Sequence, residues 1–315
     1  LLGILSIWVA AITACAIAQP VPATPTPRPP ATATTRPTAT PVPTATPPPT
    51  FTLTPTYLPL NLSNPRIVVL ADGLSSPDDL LLAPDGSFYL SDVGDGTIRR
   101  YTTKGQLTVM VSGLSEPEGM VLLPDGSLVI VEQGRNRLVR YDFSAQTLTP
   151  FLALENTTGK LGVDGIVLEA LKPDAITLII PDSPNGRVLR VSLNGQILSE
   201  LGRGFARPTG AWVEPDGSVL VVDETAGTLK RIRPDGQIEL IASLPIPDDV
   251  IADEAGNIFV NTLGDNALHL ISAETKHDQI LVNDLADPQG LIFDAEGNLI
   301  VAESKRHRLI KIIIR

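Results

Sequence analysis

The chain repeats itself. Residues 77–101, PDDLLLAPDGSFYLSDVGDGTIRRY, return forty positions later as residues 117–141, PEGMVLLPDGSLVIVEQGRNRLVRY. Six copies open at Pro77, Pro117, Val163, Pro208, Pro247 and Pro288, at steps of 40, 46, 45, 39 and 41 residues. A period of this length restricts a chain to an array of one supersecondary unit, because a single unit cannot bury its apolar face alone. Inside each copy, short apolar runs alternate with turn signals, and no segment keeps a helical period. In the second copy the runs are 120–123, 128–131, 138–141 and 148–152. The turn Pro124-Asp125-Gly126-Ser127 joins the first two, with Pro presetting φ and Gly supplying a positive one.

Four short strands per repeat and a period near 40 predict an all-β fold: a six-bladed β-propeller of four-stranded antiparallel blades around a central channel. The sixth copy holds only three runs, 291–294, 299–302 and 309–314, and then the chain stops. Upstream of the first copy stands an orphan run, residues 67–70. It is expected to be the outer strand of the last blade, which removes an open sheet edge.

Residues 288–312, PQGLIFDAEGNLIVAESKRHRLIKI, resemble an NHL repeat. The openings Glu118-Gly119-Met120 and Asp164-Gly165-Ile166 resemble those of the gluconolactonase and senescence-marker-protein families. Both are six-bladed propellers, and the resemblance covers residues 66–315. It implies one divalent cation in the channel mouth, held by residues at first-strand starts, with a nearby acid as base. In blade order Asp78 falls on the family's Glu, Asp164 and Thr209 on its two Asn positions, and Asp248 on its Asp. A register rotated by one blade puts Glu118 on the Glu, with Thr209, Asp248 and Gln289 as partners. Neither register reproduces the full set.

The repeats also act as an internal control. The residue closing the second strand is Asp92, Glu132, Asp182, Asp223, Asn261 or Glu303, polar in every copy. A side chain needed by every blade reads as scaffold, with the carboxylate accepting N–H groups of the next loop. The second residue of each copy varies: Asp78, Glu118, Asp164, Thr209, Asp248 and Gln289. These six are expected to ring the channel. Crowded carboxylates repel unless a cation or shared protons intervene. Oxygen donors without His or Cys point to calcium, or else magnesium. The third residue is Gly in four copies and Asp79 or Asp249 in the others. Antiparallel pairing puts both polar rings, and the loops carrying Asp95, Glu224 and Asp265, at one mouth. The resulting expectation is Asp248 or Asp164 as catalytic base, with Asp78, Glu118, Asp164, Thr209, Asp248 and Gln289 as metal ligands.

No histidine opens a repeat: His269, His277 and His307 fall in a third strand, beside a turn and in a loop. Histidine-based chemistry therefore has little support. Arg135, Arg137, Arg140, Lys305, Arg306 and Arg308 read as surface partners of the acids. Two functions follow: a metal-dependent hydrolase of lactones or related esters, or a non-catalytic module that recognises an extracellular protein or glycan through its loop face.

Charge narrows the partners. Of residues 1–65 only Arg28 and Arg36 are charged, which leaves 22 basic and 35 acidic residues, a net −13, on the repeats. Such a surface repels phosphate backbones, so nucleic acid is excluded as a partner. Residues 1–18 are almost wholly apolar and end in small residues. They read as a signal peptide, as a lipoprotein signal with Cys15 lipidated, or as an uncleaved membrane anchor. Residues 19–65 form a linker; positions 20–59 hold 14 prolines and 13 threonines, a composition that cannot bury a core. All three readings export a monomeric propeller, residues 66–315, either secreted or tethered to the cell surface.

Overall fold

The computed structural model describes residues 65–156 and 158–315, together with 60 and 62. The apolar leader and Cys15 lie outside the described residues, and with them the expectations of export, lipidation and tethering.

Six four-stranded antiparallel sheets form a ring of blades. Blade one is Pro77–Leu82, Phe88–Asp92, Thr97–Tyr101 and Leu107–Ser112. Blade two runs Pro117–Leu122, Leu128–Glu132, Arg137–Asp142 and Thr147–Ala153, and blade four runs Pro208–Val213, Val219–Asp223, Thr228–Ile232 and Ile238–Ser243. Blades five and six start at Pro247–Ala252 and Pro288–Phe293. The strand Arg66–Asp72 pairs antiparallel with Arg308–Ile313, so the sixth sheet is built from both ends of the repeat region.

The short β-branched runs make this possible. Second strands such as Leu128–Glu132 and Val219–Asp223 are buried along their whole length, packed on both faces by neighbouring blades. Val129 and Val131 of blade two thus meet Leu178, Ile180, Leu189 and Val191 of blade three in one apolar cluster. The turn between first and second strands is local chemistry. Gly126 has φ of 84°, and the Asp125 carboxylate accepts the Ser127 N–H at 3.0 Å.

The polar residues that close the second strands are scaffold, but most serve a different segment from the one expected. Asp92, Glu132, Asp223 and Glu303 reach back to the link before their own blade, while Asp182 accepts from Asn185 and Arg187 just after it and Asn261 donates to the Gln289 carbonyl. Asp92 accepts the N–H groups of Ser75 and Ser76 at 3.0 and 2.7 Å, and Asp223 those of Ala206 and Arg207 at 2.9 Å each. The first strand starts where the second ends, so its entry link is the nearest source of unpaired N–H groups. Basic side chains of the third strand complete the arrangement, as in Arg137 with Glu132 and Lys230 with Asp223. Arg140 instead pairs with Asp125 on the opposite face.

Blade three is the irregular one. Its first strand, Val167–Glu169, begins after Asp164, not at Val163. The preceding residues pair with blade two: Val163 donates its N–H to Asn136 Oδ1 at 2.8 Å, and the Asp164 carbonyl accepts the Gly119 N–H at 3.1 Å.

Candidate functional site

The first strands line the channel, and their opening residues gather at one end. Close approach of the blades there explains the glycines. A Cβ on Gly165 would stand 2.5 Å from the Thr209 carbonyl oxygen, and one on Gly290 would stand 2.6 Å from that of Asp78. Only glycine lets the next blade's backbone come so near. In blades one and five the same position carries Asp79 and Asp249, whose carboxyls sit inside the channel. Asp249 accepts the N–H groups of Leu291 and Val250 at 2.9 and 2.8 Å.

The predicted ring divides into two halves. In one, Asp164 is already neutralised. Its Oδ2 accepts from Arg207 Nη2 at 2.6 Å and from Gln133 Nε2 at 2.9 Å, while Arg207 Nη1 bonds Glu224. Burial opposes the Arg207 charge, but Asp164 and Glu224 outweigh it and hold its pKa above the ordinary value. In the other half Glu118 and Asp78 share a hydrogen bond. Burial first, then repulsion from Asp78 and Asp164, pushes Glu118 well up, so it keeps its proton and donates to Asp78. Burial also raises Asp78, to about 7, against the help it receives from Glu118. Asp79 and Asp248 are pushed well above the carboxylate range by burial and by the surrounding aspartates. Among the described residues no hydrogen bond reaches the Asp248 carboxylate. Its backbone carbonyl accepts the Thr209 hydroxyl at 2.8 Å.

As placed, the donor set does not fit a divalent cation. No three His, Cys, Asp or Glu side chains among the described residues are gathered to hold one. Asp164 is held by Arg207, and Thr209 turns its hydroxyl to a carbonyl. Gln289 belongs to the ring through its carbonyl, which accepts from Asn261. Of the loop acids, Asp95 pairs with Arg99, and Asp265 with His269 at 3.0 Å. Buried His269 lies between Asp265 and Asp278, away from the channel mouth, as its third-strand position requires.

Arg207 and Gln133 were not singled out by sequence. A signal existed for the first: the residues before the six openings are Ser76, Glu116, Gly162, Arg207, Ile246 and Asp287, with one base among them. Gln133 follows a scaffold acid, in a position that varies without pattern, and gave none.

Below the carboxyl ring the channel widens into a cavity of about 390 Å³. Its walls are apolar, from Leu80 and Met120 near the ring to Leu82, Leu168 and Trp212 further on. Asp78, Asp79, Asp164, Asp248 and Asp249 form its inner end.

Fold and site together define a β-propeller with an acidic, partly protonated channel. No protein-family model matches the chain, and no curated protein does. Solved structures do. A gluconolactonase from Xanthomonas campestris superposes with a TM-score of 0.66 at 16% identity, over 81% of this chain and 91% of that one. Regucalcin from Agrobacterium tumefaciens, described as a calcium-binding protein, gives 0.65 at 16% over 78% and 92%. Virginiamycin B lyase from Staphylococcus aureus gives 0.61 at 15% over 80% and 99%. At these identities the likeness is one of fold, and it agrees with the resemblance read from the repeat openings.

Proposed function

We propose that the protein is a lactonase-like hydrolase that opens a small lactone or related ester at the carboxyl ring. One observation carries the reading: Asp78 and Glu118 share a hydrogen bond at the channel mouth, where burial raises Asp78 to about 7 and Glu118 well above the carboxylate range. Carboxyl groups made unequal by their surroundings are what acid–base hydrolysis at neutral pH requires. Asp78, raised only to about 7, takes a proton from water as the water oxygen adds to the carbonyl carbon. Glu118 returns a proton to the ring oxygen as its bond to that carbon breaks, and the proton held by Asp78 passes back to Glu118 along their hydrogen bond. The product is the hydroxy acid, and neither carboxyl is consumed.

Asp164 has a positioning part here, since it fixes Arg207 beside the ring. Arg207 supplies the positive charge that the sequence reading assigned to calcium or magnesium, so no step depends on a metal. The gluconolactonase and regucalcin folds support a lactonase-like propeller. In this reading the domain works outside the cytoplasm, as its leader and linker composition suggest.

The test is turnover of a panel of lactones and aryl esters by the full chain, with and without EDTA. Hydrolysis is expected to survive EDTA and to fall roughly 100-fold or more in Asp78→Asn. A panel with no substrate turned over would sink the hydrolase. Loss on chelation and recovery with calcium would put a metal back into the site.

A further inference from the structure

The cavity below the carboxyl ring has a lining that a sugar-like substrate does not need. Apart from its five aspartates, no charged or hydroxyl-bearing side chain among the described residues lines it, and neither does any carboxamide. Leu82, Leu122, Leu168, Trp212, Ile251 and Ile292 give it one large apolar wall residue from each blade. Most of these keep partial exposure, although they face the axis of the ring. The lining continues to Pro84, an exposed residue of the turn between the first two strands. The cavity therefore opens on the turn face, opposite the loops that carry Glu224 and Gln133. Its volume, about 390 Å³, is in the range of small-molecule sites.

We infer that this cavity is the binding tunnel for an aliphatic chain: the ligand is a lactone or ester with an unbranched alkyl substituent, entering from the turn face with its polar head against the aspartates. The lactone head rests on the hydrolase reading; the alkyl tail does not. A polyol would leave its hydroxyls against Leu, Ile and Trp side chains without partners, and unpaired buried polar groups are costly. An alkyl chain removes apolar wall from water along its whole length.

Trp212 offers a direct readout, because Trp8 is the only other tryptophan in the chain. Fluorescence of the full chain is titrated with δ-decalactone, δ-valerolactone and glucono-δ-lactone. δ-Decalactone is expected to change the emission saturably, with an apparent Kd at least about tenfold below that of δ-valerolactone, which has the same ring and no tail. Glucono-δ-lactone is expected to leave the emission unchanged. The response should disappear in Trp212→Phe and weaken several-fold in Leu168→Gln. Equal affinity for the tailed and tailless lactones would overturn the assignment, as would a decalactone response unaffected in Leu168→Gln. Binding of decalactone without turnover would support the tunnel and remove the hydrolase. Turnover of glucono-δ-lactone with no Trp212 response to decalactone would do the reverse.

Discussion

Arg207 decides the electrostatics of the channel mouth. Its guanidinium bridges Asp164 and Glu224, and all three side chains are largely buried. Removing one member of such a set leaves uncompensated charge in a poorly solvated place, which costs more than the set contributes when intact. Arg207→Gln is therefore expected to destabilise the fold by about 3 kcal/mol. Adding Asp164→Asn to that variant should return part of the loss, because it removes one stranded carboxylate. Thermal or urea unfolding of the single and double variants measures both. A single variant as stable as the parent would show that the bridge is solvated and weak.

At the scale of elements, the strand Arg66–Asp72 is the unusual one. Five of its seven residues are exposed, Ile67, Val68 and Val69 among them. Its contribution therefore comes mainly from ladder pairing with Arg308–Ile313 and less from its own side chains. Without it, the strand holding buried Leu309, Ile310 and Ile312 becomes a free edge. Deletion of residues 66–72 is expected to lower Tm by roughly 10 °C or more and to promote aggregation. A deletion variant that melts like the parent would mean that the last blade is stable with three strands.

The whole molecule carries the sum of the buried acids. Burial raises Asp78 and Asp249 to about 7, and Asp79, Glu118, Asp164 and Asp248 also lie above their ordinary values. The folded state thus binds more protons than the unfolded chain between about pH 4 and pH 7 or beyond, and stability falls as pH rises through that window. Tm is expected to be higher at pH 5 than at pH 8 by roughly 5–10 °C. Arg207 limits the effect by opposing the rise that burial gives Asp164, and its other arm bonds Glu224. A Tm that is flat or rising across this range would mean that the ring is ionised and compensated in some other way.

The sequence by itself determined the blades. Strand length, turn residues, the scaffold acids and the count of six are all local or periodic, and repetition amplifies each signal. A propeller also brings equivalent positions of every repeat to one axis, which is why Asp78, Asp164 and Asp248 meet at the channel. Only the tertiary structure decided how those side chains use one another. Asp164 and Arg207 are 43 residues apart, and their pairing depends on side chains crossing between neighbouring blades. The same holds for the hydrogen bond between Asp78 and Glu118, and for the apolar cavity, which takes one wall from each blade. A ring of acids read as a list suggests a metal. Placed in space, with an arginine among them and burial raising their proton affinity, the acids satisfy part of their own charge.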